Sequence, residues 1–301
     1  MILVVGATGR VGGAITRQLL EQGKEVRILI RENSPSEQLA PQGLATLAST
    51  LLDAGAEPVY GDLKDEASLH RAVEGVRTVI ATAITVLRGG EDNVESVERQ
   101  GYRRLIDAAA QAGVEHFIFV SALGASLDSP SDFMRAKAET EQRLRESGMD
   151  YTILAPTAFS DVWPAMVAGM PALQGKPVTL VGEGRRRHSF VHGVDVAAFA
   201  VAAVDNPQAR NQYLVIGGPE ALTWRDVVAT YERVLGREIP VNWVQPGEPV
   251  PGLPGSMGVM VASFEAYDSE VPMEETAAAY GVQLTSLEEM IRQQAAALGG
   301  S

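Results

Sequence analysis

Gly6, Gly9 and Gly12 recur at every third position of the segment VVGATGRVGGAI. Each omits a side chain for a different reason. Gly6 permits a tight turn, Gly9 clears the place where a pyrophosphate must approach, and Gly12 lets a helix lie close to the preceding strand. Ala7, Thr8, Arg10 and Val11 complete the loop. The helix that follows points its free N–H groups at the anion. Because a strand precedes the glycines and a helix follows, the spacing is read as a dinucleotide-binding loop and not as a bare turn.

Three further strand ends should meet the same ligand. The second strand ends LIREN, and its first polar residue, Arg31, suits a ribose 2′-phosphate through a planar, charged fork. Arg10 could reach that phosphate too. Glu32 is the counter-argument, since an acid there would hydrogen-bond a 2′-hydroxyl instead. The expectation is therefore NADP(H) preferred, with NAD(H) possible. The third strand ends GDLKD, where Asp62 could accept from an adenine amino group with Leu63 against the ring, or Asp62 could cap the next helix. The fourth ends in the small residues Ala81, Thr82 and Ala83, which suit a backbone passing close to a cofactor; Thr82 reads equally as a buried strand threonine.

A second constellation lies in SDFMRAKAE, residues 131–139. Lys137 is one of only four lysines beside 21 arginines, and its own helix uses Arg135, Arg143 and Arg145 for its other cations. A compact ammonium differs chemically from a guanidinium fork. The alternative is a solvated lysine paired with Glu141 one turn on. Ser121 ends the fifth strand and either faces the site or caps a turn.

The elements that must position these residues are legible as short apolar runs alternating with helical stretches. Strands are expected at 2–6, 25–31, 56–62, 77–83, 116–122 and 150–156, each rich in Val, Ile, Phe or Tyr as buried parallel strands are. Helices between them stop at Gly23, Gly113 and Gly148. This alternation predicts an α/β fold, a Rossmann-type doubly wound parallel sheet. After about residue 157 proline and glycine become denser. Residues 1–156 are read as the dinucleotide-binding domain, and 157–301 as a smaller α/β substrate-binding lobe packed against it.

The totals narrow the function. With no cysteine and four histidines, neither disulfides nor a thiolate or histidine-rich metal site is expected. A net charge of −13 argues against nucleic acid as a partner. The basic cluster GRRRH, with Arg185, Arg186 and Arg187, reads as a solvated turn or as a contact to an anion. The longest uncharged run, 16 residues at 249–264, holds three prolines and three glycines, so no membrane span is expected. The chain opens on a strand without a charged leader, and a cytoplasmic protein, monomer or homodimer, is expected.

Taken together, GATGRVG at 6–12, Arg31, GDL at 61–63, HFIFVSALGA at 116–125, Lys137, YTILAPTAF at 151–159 and HSFVHGVDVA at 188–197 resemble the NmrA-like family of atypical short-chain dehydrogenases/reductases. The resemblance covers roughly residues 1–235. It implies that Ser121 takes the catalytic or nicotinamide-facing serine position and that Lys137 holds the nicotinamide ribose. It also implies that Pro156, Thr157 and Phe159 pass the nicotinamide ring. Phe133 stands four residues before Lys137, where the wider superfamily has tyrosine, and offers no proton. Lys137 or water, or a hydroxyl such as Tyr102 or Thr157, must then supply one. Otherwise the acceptor is a quinone, conjugated alkene or cationic dye whose protonation can wait for solvent. Phe133, Phe159, Trp163, Met166, Met170 and the loop ITVLRGG at 84–90 are candidates for an aromatic-accepting pocket, or else ordinary core. The expected function is an NADPH-dependent reductase delivering hydride to an electron-poor, aromatic or quinone-like molecule. The alternative is a non-catalytic NADP(H)-binding redox-sensing regulator or assembly protein, and a weaker third is a sugar-nucleotide or ether-cleaving member.

Overall fold

Every residue of Ile2–Val5 (β1) is buried, as expected of a strand covered on both faces. Its neighbours share that character: Val26–Ile30 (β2), Thr78–Ala81 (β4), His116–Val120 (β5) and Asp150–Pro156 (β6) are buried over nearly all of their length. The computed structural model describes residues 1–31, 47–85, 90–253 and 255–299. Its main sheet has seven strands in the order β3-β2-β1-β4-β5-β6-β8, with β3 at Glu57–Tyr60 and β8 at Gln212–Ile216. Strands β1 to β6 pair in parallel, and the order reverses between β1 and β4. That reversal is the topological switch point at which open α/β sheets bind ligands beyond their carboxyl ends. The fold is thus the Rossmann-type sheet that the sequence predicts. One expectation fails in detail. Strand β3 is largely exposed and not buried, because it is an edge.

The crossover helices are Arg10–Glu21 (α1), Leu47–Asp53 (α2), Glu66–Val73 (α3), Gln100–Gln111 (α4) and Asp132–Glu146 (α5). Gly23, Gly113 and Gly148 all take positive φ just beyond helix ends, which glycine does without a Cβ penalty. Before α4 the chain makes a π-helical turn at Val94–Arg99, opened by a capping box between Asn93 and Ser96. The wider turn buries Val97 and Glu98 together.

By contacts the chain divides into two compact units, Met1–Ala155 with Val196–Val215, and Pro156–Asp195 with Ile216–Ser301. The first contains the glycine loop, and its core includes Leu3, Val5, Tyr102, Leu105, Phe117 and Phe119. The second has its own core, around Phe190, Trp224, Tyr231, Phe264 and Ile291. It carries Met170–Leu173 (α6), the parallel pair Val178–Val181 (β7) and Val241–Val244 (β9), and Trp224–Leu235 (α8). The helix Gly193–Val204 (α7) runs from one unit into the other along the chain. Residues 196–215 therefore belong to the first unit, although they follow residue 157 in sequence.

Candidate active site

The glycine loop is shaped by what surrounds it. Gly6 has φ +92°, and a Cβ there would lie 2.6 Å from Thr82 Oγ1 and 2.8 Å from the Ala83 nitrogen. A Cβ on Gly12 would collide with the Gly6 carbonyl. Gly9 is exposed at the helix start, and its N–H donates to the Gly6 carbonyl at 2.9 Å. Helix α1 has no side-chain cap and no acid in its first turn. Its leading N–H groups and its positive dipole end are thus offered to an anion, which fits a pyrophosphate. Ala7 is buried, Thr8 and Val11 are half-buried, and Arg10 is exposed. Buried Ala81 ends β4, and Thr82 then ties the chain beyond β4 to the end of β1 by donating to the Val5 carbonyl at 3.3 Å. The Ala83 carbonyl accepts from Tyr102 Oη at 2.7 Å.

At the ends of β2 and β3 two cations converge. Arg31 Nη1 lies 2.6 Å from Asp92 Oδ2 and 3.9 Å from Asp62 Oδ2, and Lys64 Nζ lies 2.8 Å from Asp92 Oδ1. Arg31 Nη2 is buried and has no hydrogen-bond partner among the described residues. An orphaned guanidinium N–H beside an ammonium is what an additional anionic oxygen would satisfy, and the site fits a 2′-phosphate. Asp62 is not the cap of α3. Asp65 is, accepting from the Ala67 nitrogen at 3.1 Å, while Asp62 accepts from the Lys64 nitrogen at 2.8 Å. Leu63 turns into the core of the first unit. Glu32 lies outside the described residues, as do residues 86–89 of the ITVLRGG loop.

Lys137 is not a solvated helix lysine. It is 2% exposed, and its Nζ donates to the Val120 carbonyl at 3.0 Å. The ammonium sits over the rings of Phe119 at 4.6 Å, Phe133 at 5.4 Å and Tyr102 at 5.6 Å. Phe133 thus places a ring face, not a hydroxyl, beside the lysine. Burial pulls the ammonium down to about 8, against the opposing pull of Glu98 and Glu141. Glu141 forms no ion pair with Lys137. It accepts from Ser121 Oγ at 2.6 Å and pairs with Arg145 at 3.2 Å. Glu98 accepts from both the nitrogen and Oγ1 of Thr85, each at 2.7 Å, and so fixes the chain just beyond β4.

Two hydroxyls weighed as proton donors are already engaged. Tyr102 is buried, which pushes its phenol well up, and it donates to Ala83. Thr157 donates to the Ser189 carbonyl. The remaining residues of the expected site belong to the second unit. Pro156 and Thr157 are buried, and Phe159 bridges to Val191. Trp163 meets Phe264 edge-on at 5.4 Å and packs on that unit's core; Met166 is half-buried and Met170 exposed. Sequence reasoning missed Lys64, Asp92, Glu98 and Glu141 as members of these clusters. Only two carried a signal: Lys64 lies inside the GDLKD segment, and Glu141 follows Lys137 by one turn.

An uncapped glycine loop at a topological switch point, with two cations gathered at the ends of the neighbouring strands β2 and β3, fits a dinucleotide on a Rossmann-type sheet. The model of the NmrA-like family matches residues 1–296, and the chain belongs to that family. It is 33% identical to an NAD(P)H azoreductase from Xenophilus azovorans, over 81% of this chain and 76% of that one. It is 31% identical to the photosystem II assembly factor Ycf39 of Cyanophora paradoxa, over 81% and 71%. Its fold matches a triphenylmethane reductase from Citrobacter sp., solved with NADP(H), with a TM-score of 0.78 at 20% identity, over 97% of this chain and 99% of that one.

Proposed function

We propose that the protein is an NADPH-dependent reductase that delivers hydride to an electron-poor organic acceptor of the azo, quinone, dye or enone kind. The observation that carries this reading is the buried, partly desolvated Lys137. Burial pulls its ammonium down to about 8, which suits proton transfer near working pH. The resemblance to an azoreductase supports the acceptor class, and the complex of the triphenylmethane reductase with NADP(H) supports the cofactor.

In this reading Gly6 to Gly12 hold the pyrophosphate, Arg31 takes the 2′-phosphate, and Asp62 serves the adenine. Ala81 to Ala83 give the nicotinamide end close backbone. When bound, the nicotinamide supplies the hydride. Lys137 supplies the proton that completes reduction and recovers one from solvent. Ser121 presents hydroxyl lone pairs, since its proton is committed to Glu141. Pro156, Thr157 and Phe159 serve the nicotinamide end, and Phe133, Trp163 and Met166 serve the acceptor. A cytoplasmic monomer or homodimer completes the proposal; among the described residues no helix is long and apolar enough to cross a membrane.

The test is to follow NADPH fluorescence on binding, and then its oxidation with a panel of azo dyes, quinones and enones. Lys137→Ala should lower turnover by roughly 10²–10⁴-fold, the range of lost general-acid catalysis, while NADPH still binds. Binding without oxidation of NADPH by any acceptor, identical in wild type and Lys137→Ala, would instead favour the non-catalytic assembly or regulatory role.

A further inference from the structure

The cluster at the ends of β2 and β3 contains one residue that a cofactor seat does not require. Asp92 comes from the segment between β4 and the π-helical turn. It gives one carboxylate oxygen to Arg31 at 2.6 Å and the other to Lys64 at 2.8 Å. A single anion bridging two cations through two oxygens is the arrangement that a phosphate monoester would make with the same pair. Arg31 Nη2, buried and without a partner among the described residues, is a donor that the two-oxygen carboxylate leaves over and a three-oxygen phosphate could use.

Resting on the reading that NADP(H) is the cofactor, we infer that Asp92 is an internal competitor for the 2′-phosphate and sets the discrimination between NADPH and NADH. A phosphate monoester carries about −1.5 to −2 charges at neutral pH, so Asp92 and the phosphate cannot share Arg31 and Lys64 without strong repulsion. NADPH must displace Asp92; NADH, with a neutral 2′-hydroxyl, need not. Partial burial disfavours the ionised carboxyl, but the hydrogen bonds from Lys64 and Arg31 outweigh it and hold Asp92 near 2. The competitor is therefore charged throughout the working pH range. Lys64, which adds a hydrogen-bonding cation to Arg31, becomes a second determinant of 2′-phosphate recognition.

The experiment compares NADPH and NADH dissociation constants by calorimetry for wild type, Asp92→Asn, Lys64→Met and Arg31→Ala. Asp92→Asn keeps the shape and removes the charge. Losing competition for charge-assisted hydrogen bonds should tighten NADPH by roughly tenfold and leave NADH unchanged. Lys64→Met should weaken NADPH only. If Asp92→Asn leaves NADPH unchanged or weakens it, Asp92 merely orders Arg31 and the inference is overturned. Failure of the cofactor reading has a different signature: Arg31→Ala would leave NADPH binding unaltered. Crystal structures of the wild-type complexes give a check without variants. Asp92 should leave Arg31 in the NADPH complex and keep it in the NADH complex; a carboxylate still bridging Arg31 and Lys64 beside the 2′-phosphate would refute the competition.

Discussion

Lys137 is held where its charged form is disfavoured, and that has a consequence for stability as well as chemistry. In the unfolded chain its ammonium titrates near 10.5, and in the fold near 8. Below pH 8 both states are protonated and the fold carries the full cost of burying the charge. Between 8 and 10.5 the folded chain has released a proton that the unfolded chain still holds. The site's contribution to stability therefore rises with pH, by about 3 kcal/mol across that window. Urea unfolding of wild type and Lys137→Met at pH 7, 9 and 10.5 isolates the effect, because other titrating groups are common to both. Wild type should gain on the variant as pH rises. A constant difference would show that the lysine is no easier to deprotonate in the fold than in water. The rings of Phe119, Phe133 and Tyr102 explain how the cation is tolerated: their faces attract the ammonium without taking a proton from it.

At the scale of elements, the glycine loop separates two roles that one motif combines. A methyl group on Gly12 would meet the Gly6 carbonyl, so α1 could not keep its approach to β1. Gly12→Ala should lose both stability and NADPH affinity, the latter by roughly tenfold or more. A methyl group on exposed Gly9 would stand 3.2 Å from the Gly6 oxygen at an ordinary backbone angle. Gly9→Ala should therefore fold nearly as well and lose affinity alone, since in the proposed reading its Cβ would take space meant for the pyrophosphate. Calorimetry and urea unfolding on the two variants distinguish these outcomes; equal loss of stability in both would contradict the division. The tight glycine turns, the strand ends and the unusual setting of Lys137 were legible because each is encoded locally, by spacing or by a rare residue type. The anion seat was not, because Arg31, Lys64 and Asp92 are joined only when β2, β3 and the segment after β4 are brought together. Glu98 was hidden for a related reason: a π-helical turn shifts the helical register that sequence spacing assumes. Asp65 displaced Asp62 as the helix cap by three residues, the ordinary error of a boundary read from sequence.

For the whole molecule, the question left by a net charge of −13 is whether its one basic cluster faces outward to a partner. The structure pairs it instead with carboxylates at the surface of its own unit. Arg186 pairs with Asp268 at 3.0 Å, and Arg187 pairs with Glu270 at 3.1 Å and donates to the Ala221 carbonyl at 2.8 Å. Arg185 lies 3.4 Å from Glu183. These pairs are solvent-exposed, so each contributes little to stability and weakens with salt. Their larger effect is on recognition. A polyanion would have to replace neighbouring carboxylates within the same unit while approaching a strongly negative molecule, and counterion release from a few arginines does not offset that repulsion. The protein should therefore show no binding to double-stranded DNA or heparin at 150 mM salt. Replacing Arg185, Arg186 and Arg187 together by alanine should leave NADPH binding and turnover as they were, because their partners Glu183, Asp268, Glu270 and Ala221 are not among the residues proposed to hold cofactor or acceptor. Polyanion binding that disappears in the triple variant would mean the cluster is a docking site, and the ion pairs only its resting arrangement.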